Sequence, residues 1–395
     1  MIDKCNICGT ERQNTIGGGY SIMFKDLLFL DKDYTQQVDV CPNCGFIYTA
    51  NPFSEEQLNT RYKEFSKFEF DDVHYFLDEA DSYKKRCLRQ KQFIEASLDA
   101  GSFESMLEVG AASGYNLSLY TDKDVFGIEP SKNNVMNAWK NYGISMYAGM
   151  FNEYMAQPDK KKYDLIFLSH TLEHIVNPRD FISSCASLSN KFFFIEVPTL
   201  DYKFVNEPFG MFAEEHVNIF TLESLQHLMN SFGYNLVDAE IIFNVNETLP
   251  AGWPAISTVW KKSDAIVYQR PCISSRQLFD LYIHVSELEF KKIQTIIDTI
   301  PDSERIAVWG TGHHASMLLA NTSLSDKNIV RVYDSDKKKA GQIFAGCPVQ
   351  AFSADDITSD AIDSILLATY TAQKTLERIL EPYKGKITIR KLYDV

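Results

Sequence analysis

Residues 105–120 read SMLEVGAASGYNLSLY, and residues 125–131 read VFGIEPS. The first run is apolar through Leu107 and Val109, breaks at Gly110 and takes on a helical rhythm after Gly114. That is a buried strand, a glycine turn and a helix. The second run is a further strand, ended by Glu129. Strand, turn, helix and strand in this order build a parallel sheet covered by helices.

The theme extends in both directions. A helix is expected over 74–98. Strands are expected in YDLIFLSHTLEHI (163–175) and KFFFIEVP (191–198). In residues 220–243, FTLESLQHLMNSFGYNLVDAEIIF, Thr221 caps a helix that leads into another strand. Residues 305–320, RIAVWGTGHHASMLLA, start the pattern again, followed by NIVRVYDSD (328–336), SILLATY and ITIRKLYD. Between the two patterns, Leu278, Leu281, Val285, Leu288, Ile293, Ile296 and Ile300 recur at near-helical spacing and mark an amphipathic connecting helix. The expected division is 1–65, 66–265, 266–300 (connecting helix) and 301–395.

The N-terminal piece holds Cys5-x2-Cys8 and Cys41-x2-Cys44, each pair followed by glycine. Four thiolates in two such knuckles form a closed tetrahedral set, so Cys5, Cys8, Cys41 and Cys44 are expected to hold a structural zinc ion. The other four of the eight cysteines are isolated and read as core residues.

Composition narrows the function. The chain has 395 residues, 45% of them hydrophobic, and a net charge of -14. An acidic surface argues against nucleic acid or an anionic membrane as partner. No run reaches the length of a membrane helix, and MIDKCNICGT has no apolar signal core, so a cytoplasmic location is expected.

The loop Glu108-Val109-Gly110-Ala111-Ala112-Ser113-Gly114 spaces its glycines as ExGxxxG. Pyrophosphate loops use GxGxxG against a helix N-terminus; this spacing suits a ligand without phosphates. Glycine lets the backbone approach that ligand. Glu108 can meet a cationic amino group, and Glu129, at the end of the next strand, can accept both hydroxyls of a ribose. Such a ligand is adenosylmethionine.

LEVGAASG, GIEPS, YDLIFLSHTLEHI and EEHVNIFTLESL resemble the class I adenosylmethionine-dependent methyltransferases. With its N-terminal four-cysteine module and C-terminal Rossmann-like domain, the chain resembles the nucleotide-sugar C-methyltransferases over essentially its whole length. The resemblance implies an α/β fold with a class I methyltransferase sheet, a small zinc-binding module and a second Rossmann-like domain. It implies cofactor contacts from Glu108, Gly110, Ala111, Gly114, Glu129, Phe151 near the adenine, Ser169 and His170. It also implies a base: the family's Tyr-His-Glu-His is here Ala213-Glu214-Glu215-His216, which keeps the Glu-His pair. Histidine suits proton removal at neutral pH, and Glu215 is the expected partner of His216.

The acceptor side departs from the family. A glycine-serine turn is replaced by ETLPAGWPAIST, with Asn244, Asn246 and Trp253 as candidate walls of a rebuilt pocket. His170 and His174, four apart, would share a helix face. HTLEH is not the zincin order HExxH, so His170 is assigned to the pocket and His174 to the helix. In the last domain Gly310-x-Gly312 invites a dinucleotide reading, but a single GxGxxA is weak. His313 and His314 are expected to meet the acceptor's diphosphate at the helix start.

The expected activity is methylation of a nucleotide-activated keto-deoxysugar at carbon, for a polysaccharide or glycosylated metabolite. Sugar O-methylation and a non-catalytic assembly role are the alternatives. The sequence does not specify the oligomeric state.

Overall fold

The computed structural model describes residues 2–12, 19–28, 30, 33–54, 57, 77–201, 207–213, 215–243, 254–269, 271–359, 361–370 and 372–393. The chain forms two compact units.

The first unit comprises residues 1–18, 39–203 and 215–279. Its centre is a seven-stranded sheet. The strands are β4 (Ser105–Val109), β5 (Asp124–Glu129), β6 (Met146–Ala148), β7 (Tyr163–Ser169), β8 (Ser189–Pro198), β10 (Tyr234–Ile242) and β11 (Ala255–Lys262), in the spatial order β10-β11-β8-β7-β4-β5-β6. β4 to β8 pair in parallel, and β11 runs antiparallel to both its neighbours. Leu107 and Val109 lie in one buried cluster and Met106 in another, so the sheet is apolar on both faces. That is what continuous apolar strand sequences produce when helices cover both sides.

The strand order reverses at β4, where a crevice opens beyond the carboxyl ends of the strands. Glu108, Glu129, Ser169 and Glu196 all sit at or near those ends.

The cysteine knuckles share this unit's core. Cys5, Cys41, Cys44, Phe46 and Tyr48 belong to the same buried cluster as Leu107 and Trp260. β3 (Ile47–Thr49) leaves the second knuckle and pairs antiparallel with β9 (Asn218–Ile219), and Thr49 N donates to Val217 O at 2.8 Å. Gly45 is required there twice over: its φ is +67°, and a Cβ would lie 2.5 Å from Ser275 Oγ.

The second unit comprises residues 19–38, 204–214 and 280–395. Its six-stranded sheet includes β12 (Ile306–Trp309), β13 (Ile329–Tyr333), β15 (Cys347–Gln350), β16 (Ser364–Leu367) and β17 (Thr388–Lys391), all parallel, with β14 (Ile343–Phe344) antiparallel at one edge. A hairpin from far upstream, β1 (Tyr20–Phe24) with β2 (Tyr34–Val40), belongs to the same unit and is tied to it by hydrogen bonds. Lys25 N donates to Ser316 O at 3.2 Å, and Ala345 N donates to Asp26 Oδ2 at 2.9 Å.

The compact units therefore do not follow the sequence boundaries expected at 65, 265 and 300. Residues 19–38 interrupt the cysteine module, and the Ser275–Asp298 helix spans both units instead of standing between them. Sequence position does not foretell this, because the contacts that tie 19–38 to the later residues join partners some three hundred positions apart and leave no local pattern.

Candidate active site

The glycine loop has the shape its residues require. Gly110 has φ +79°, and a Cβ there would stand 2.7 Å from Thr171 Oγ1. Gly114 has φ +72°, and a Cβ would stand 2.8 Å from Ala138 Cβ. Any larger residue would strain both backbone and packing. Gly110 N and Ala111 N donate to Ile128 O at 2.9 and 3.1 Å, which ties the loop to the end of β5.

Glu129 closes the loop from the other side. Its Oε2 accepts from Ala112 N at 2.9 Å, and its Oε1 accepts from Ser131 N at 3.0 Å and Asn134 Nδ2 at 3.3 Å. Burial raises its pKa against these three donors. Glu108 is 3% exposed, and its Oε2 has no hydrogen-bond partner. Burial pushes its pKa up to about 8.

Phe151 begins the Phe151–Met155 helix, and its ring packs on Phe181 at 4.9 Å. That ring is at least partly committed to the core.

Beyond β7 the chain turns sharply. His170 carries φ +49°, an unusual conformation for a non-glycine residue. Its N donates to Glu196 O at 2.8 Å. Its ring lies between two carboxylates, with Nδ1 3.3 Å from Glu173 Oε1 and Nε2 3.3 Å from Glu196 Oε1. Burial and Arg86 oppose its charge, but the two carboxylates outweigh them and raise its pKa. Ser169 Oγ accepts from Gln90 Nε2 at 2.8 Å. Arg89 Nη2 holds Glu196 at 3.0 and 2.8 Å.

His174 does not lie on an α-helix. Leu172–His174 is a single 3-10 turn, which brings Glu173 and His174 together with His170. The His174 ring meets the His216 ring edge to face at 5.0 Å. His174 Nδ1 donates to Glu215 O at 3.1 Å, so its Nε2 is turned toward Glu173, 3.9 Å from Oε1. Glu173 is 1% exposed, and its charge is shared electrostatically among His170, His174 and His216. Burial first and His174 second lower the pKa of His216 to about 4, so the ring is neutral at physiological pH.

The sequence paired His216 with Glu215. The structure adds Glu173, a second carboxylate whose ligand oxygen lies within 4.8 Å of the His174 and His216 ring nitrogens. Glu215 contributes its backbone carbonyl to His174.

The four knuckle cysteines converge. Cys5 Sγ lies 3.6 Å from Cys44 Sγ, and Cys8 Sγ lies 3.5 Å from Cys41 Sγ. Thiolates about 2.3 Å from a tetrahedral ion stand about 3.8 Å apart, so the set fits zinc.

In the second unit, His313 and His314 begin the His313–Asn321 helix, but a carboxylate faces them. Glu207 Oε1 lies 3.1 Å from His314 Nδ1 and 3.6 Å from His313 Nε2. His314 is 4% exposed, its other nitrogen meets the Tyr393 hydroxyl, and burial holds its pKa well below the usual value. His314 was expected to meet a diphosphate; it lies buried, with the Glu207 carboxylate on one nitrogen and the Tyr393 hydroxyl on the other. Asp334 accepts from Thr311 N at 3.0 Å and from Lys339 Nζ at 2.8 Å. Asn244, Asn246 and Trp253 lie outside the described residues.

Residues 71–239 match the family model of the methyltransferase domain. This stretch is an adenosylmethionine-dependent methyltransferase domain. Over 398 aligned positions the chain is 20% identical to the C-methyltransferase NovU of Streptomyces niveus, covering 93% of this chain and 90% of that relative. Among solved structures, magnesium protoporphyrin IX methyltransferase of Synechocystis, with bound adenosylhomocysteine, aligns at TM-score 0.41. That alignment has 13% identity and covers 53% of this chain and all (100%) of the other. The N-methyltransferase NodS of Bradyrhizobium japonicum aligns at TM-score 0.35 with 14% identity, covering 48% of this chain and 100% of the other. Among the described residues, no helix of the methyltransferase chain is long and apolar enough to cross a membrane.

Three side chains of this site escaped the sequence reading: Arg89, Gln90 and Glu196. Glu196 could have been noticed as the one carboxylate inside the apolar strand KFFFIEVP. Arg89 and Gln90 lie in a helix rich in charged residues, where nothing local distinguishes them from a solvated face.

Proposed function

We propose that the protein methylates a carbon atom of a nucleotide-activated keto sugar, with His216 as the base. Adenosylmethionine, when bound, supplies an electrophilic methyl group. Glu129 accepts the ribose hydroxyls, Glu108 faces the methionine end, and Gly110, Ala111 and Gly114 give the backbone room to approach. Ser169 and His170 line the side toward the acceptor. The four cysteines hold a structural zinc ion.

The observation that carries this reading is the state of His216. It is neutral, close to a buried carboxylate and to His174, and follows β7 and β8 at the carboxyl side of the sheet. A neutral imidazole can take the proton from the carbon next to a carbonyl, leaving an enolate whose carbon is the nucleophile. The carboxylates of Glu215 and Glu173 then offset the charge formed on His216. Similarity to a C-methyltransferase over nearly the whole chain supports carbon as the site of methylation.

The test is turnover of a panel of nucleoside-diphosphate keto sugars with 13C-methyl-labelled adenosylmethionine. A labelled methyl on a ring carbon supports the reading. A labelled methyl on oxygen would keep the cofactor site and replace the enolate step. No labelled sugar, despite saturable adenosylhomocysteine binding, would remove the sugar from the reading.

A further inference from the structure

The Leu77–Ser97 helix passes Tyr83, Arg86, Arg89 and Gln90 along the carboxyl ends of the strands. Three of these are engaged. Arg89 and Gln90 bind Glu196, and Tyr83 lies beside Ser113 of the glycine loop. Arg86 differs. Its Nε is fully buried and has no acceptor, and it forms no ion pair with any described carboxylate. Its Cζ lies over the Tyr83 ring, 5.3 Å from the centroid.

Two carboxyl groups are nevertheless close enough to feel the guanidinium, Glu108 and Glu196. Glu196 is saturated by Arg89, Gln90 and Ser257. Glu108 has an unpartnered buried oxygen, yet it does not pair with Arg86. A guanidinium with a buried, unpartnered Nε and a carboxyl group with a buried, unpartnered oxygen thus lie near one another without pairing. Polar groups kept in that state are costly unless a ligand completes them. The complementary ligand carries both charges on one small centre, as an α-amino acid does.

We propose that Arg86 receives the carboxylate of the methionine end of the cofactor while Glu108 faces its ammonium. The fork of a guanidinium matches a carboxylate with two parallel hydrogen bonds. This rests on the adenosylmethionine reading and adds a residue to it. It also gives the helix before β4 a role in binding, with Tyr83 joining that helix to the loop.

The test compares two ligands by titration calorimetry: adenosylhomocysteine, and 5′-methylthioadenosine, which keeps the nucleoside thioether and lacks the amino acid. Loss of a charge-assisted carboxylate contact costs roughly 10- to 100-fold in affinity. Arg86→Ala should weaken adenosylhomocysteine by that factor and leave methylthioadenosine within about twofold, and Arg86→Lys should recover part of the loss. Retained methylthioadenosine binding also shows that the variant is folded. Equal weakening of both ligands would mean that Arg86 only supports the fold, and unchanged adenosylhomocysteine binding would mean that the carboxylate goes elsewhere. Either overturns the proposal while leaving the cofactor reading in place. Failure of both ligands to bind wild type would overturn the two together.

Discussion

His174 and His216 meet edge to face, with ring centroids 5.0 Å apart, although 42 positions separate them in the chain. The 3-10 turn after β7 and the strand paired with the cysteine module bring them together. His174 is fixed by the carbonyl of the residue preceding His216, so the backbone beside one ring positions the other.

His216→Ala should therefore lower turnover by about 10²- to 10⁴-fold, the usual worth of a placed base, and leave adenosylhomocysteine affinity unchanged. His174→Ala should cost less. Steady-state kinetics beside calorimetry separates these effects. Equal loss of cofactor binding in His216→Ala would show a structural role instead.

The acid side of the pH profile follows from the same ring. The base must be unprotonated in the free enzyme, and His216 has its pKa lowered to about 4. The acid limb of kcat/KM attributable to this group should appear only as the pH falls toward 4. An ordinary histidine would produce it near its pKa of about 6.5. A limb near neutrality that vanishes in His216→Ala would contradict the burial argument.

Glu108 predicts a linked proton. With its pKa raised to about 8, it is largely protonated at pH 7 in the free protein. An ammonium group beside it favours the ionised form, so binding should release a proton and tighten as pH rises from about 6 to about 8. Calorimetric enthalpies of adenosylhomocysteine binding at pH 7 should then depend on the ionisation heat of the buffer. Glu108→Gln should abolish that dependence.

Zinc should matter to catalysis as well as to folding. β3 follows the second knuckle and pairs with the strand beginning two residues after His216. A strong chelator should remove one zinc ion per chain, lower the melting temperature and reduce turnover. Cys44→Ser should behave likewise. Metal analysis, thermal melting and kinetics on the same sample check this, and full activity after complete metal loss would refute it.

The sheet and the glycine loop were legible because their signals are local. The apolar runs around Leu107 and Phe167, the positive-φ glycines and the strand-ending Glu129 all follow from neighbours in sequence. The four knuckle cysteines were legible as one candidate ligand set from their spacing. The clustering of Glu173 with His216 was not, because a 3-10 turn cannot be told from a helical one in HTLEH. Nor was the state of Arg86, since a cation lacking a partner is defined by what does not surround it. The carboxylate facing His314 comes from Glu207, about a hundred residues upstream, and no pattern near GTGHHA announces it.

The make-up of the second unit bears on how the chain is born. Residues 19–38 emerge from the ribosome early, yet their partners Ser316 and Ala345 follow some three hundred residues later. At about 5–20 residues per second, the hairpin must wait on the order of 15 seconds or more before its unit can close. Meanwhile the knuckles on either side can gather their thiols. Early metal capture would hold both ends of this waiting ribbon in one closed loop until its later partners arrive.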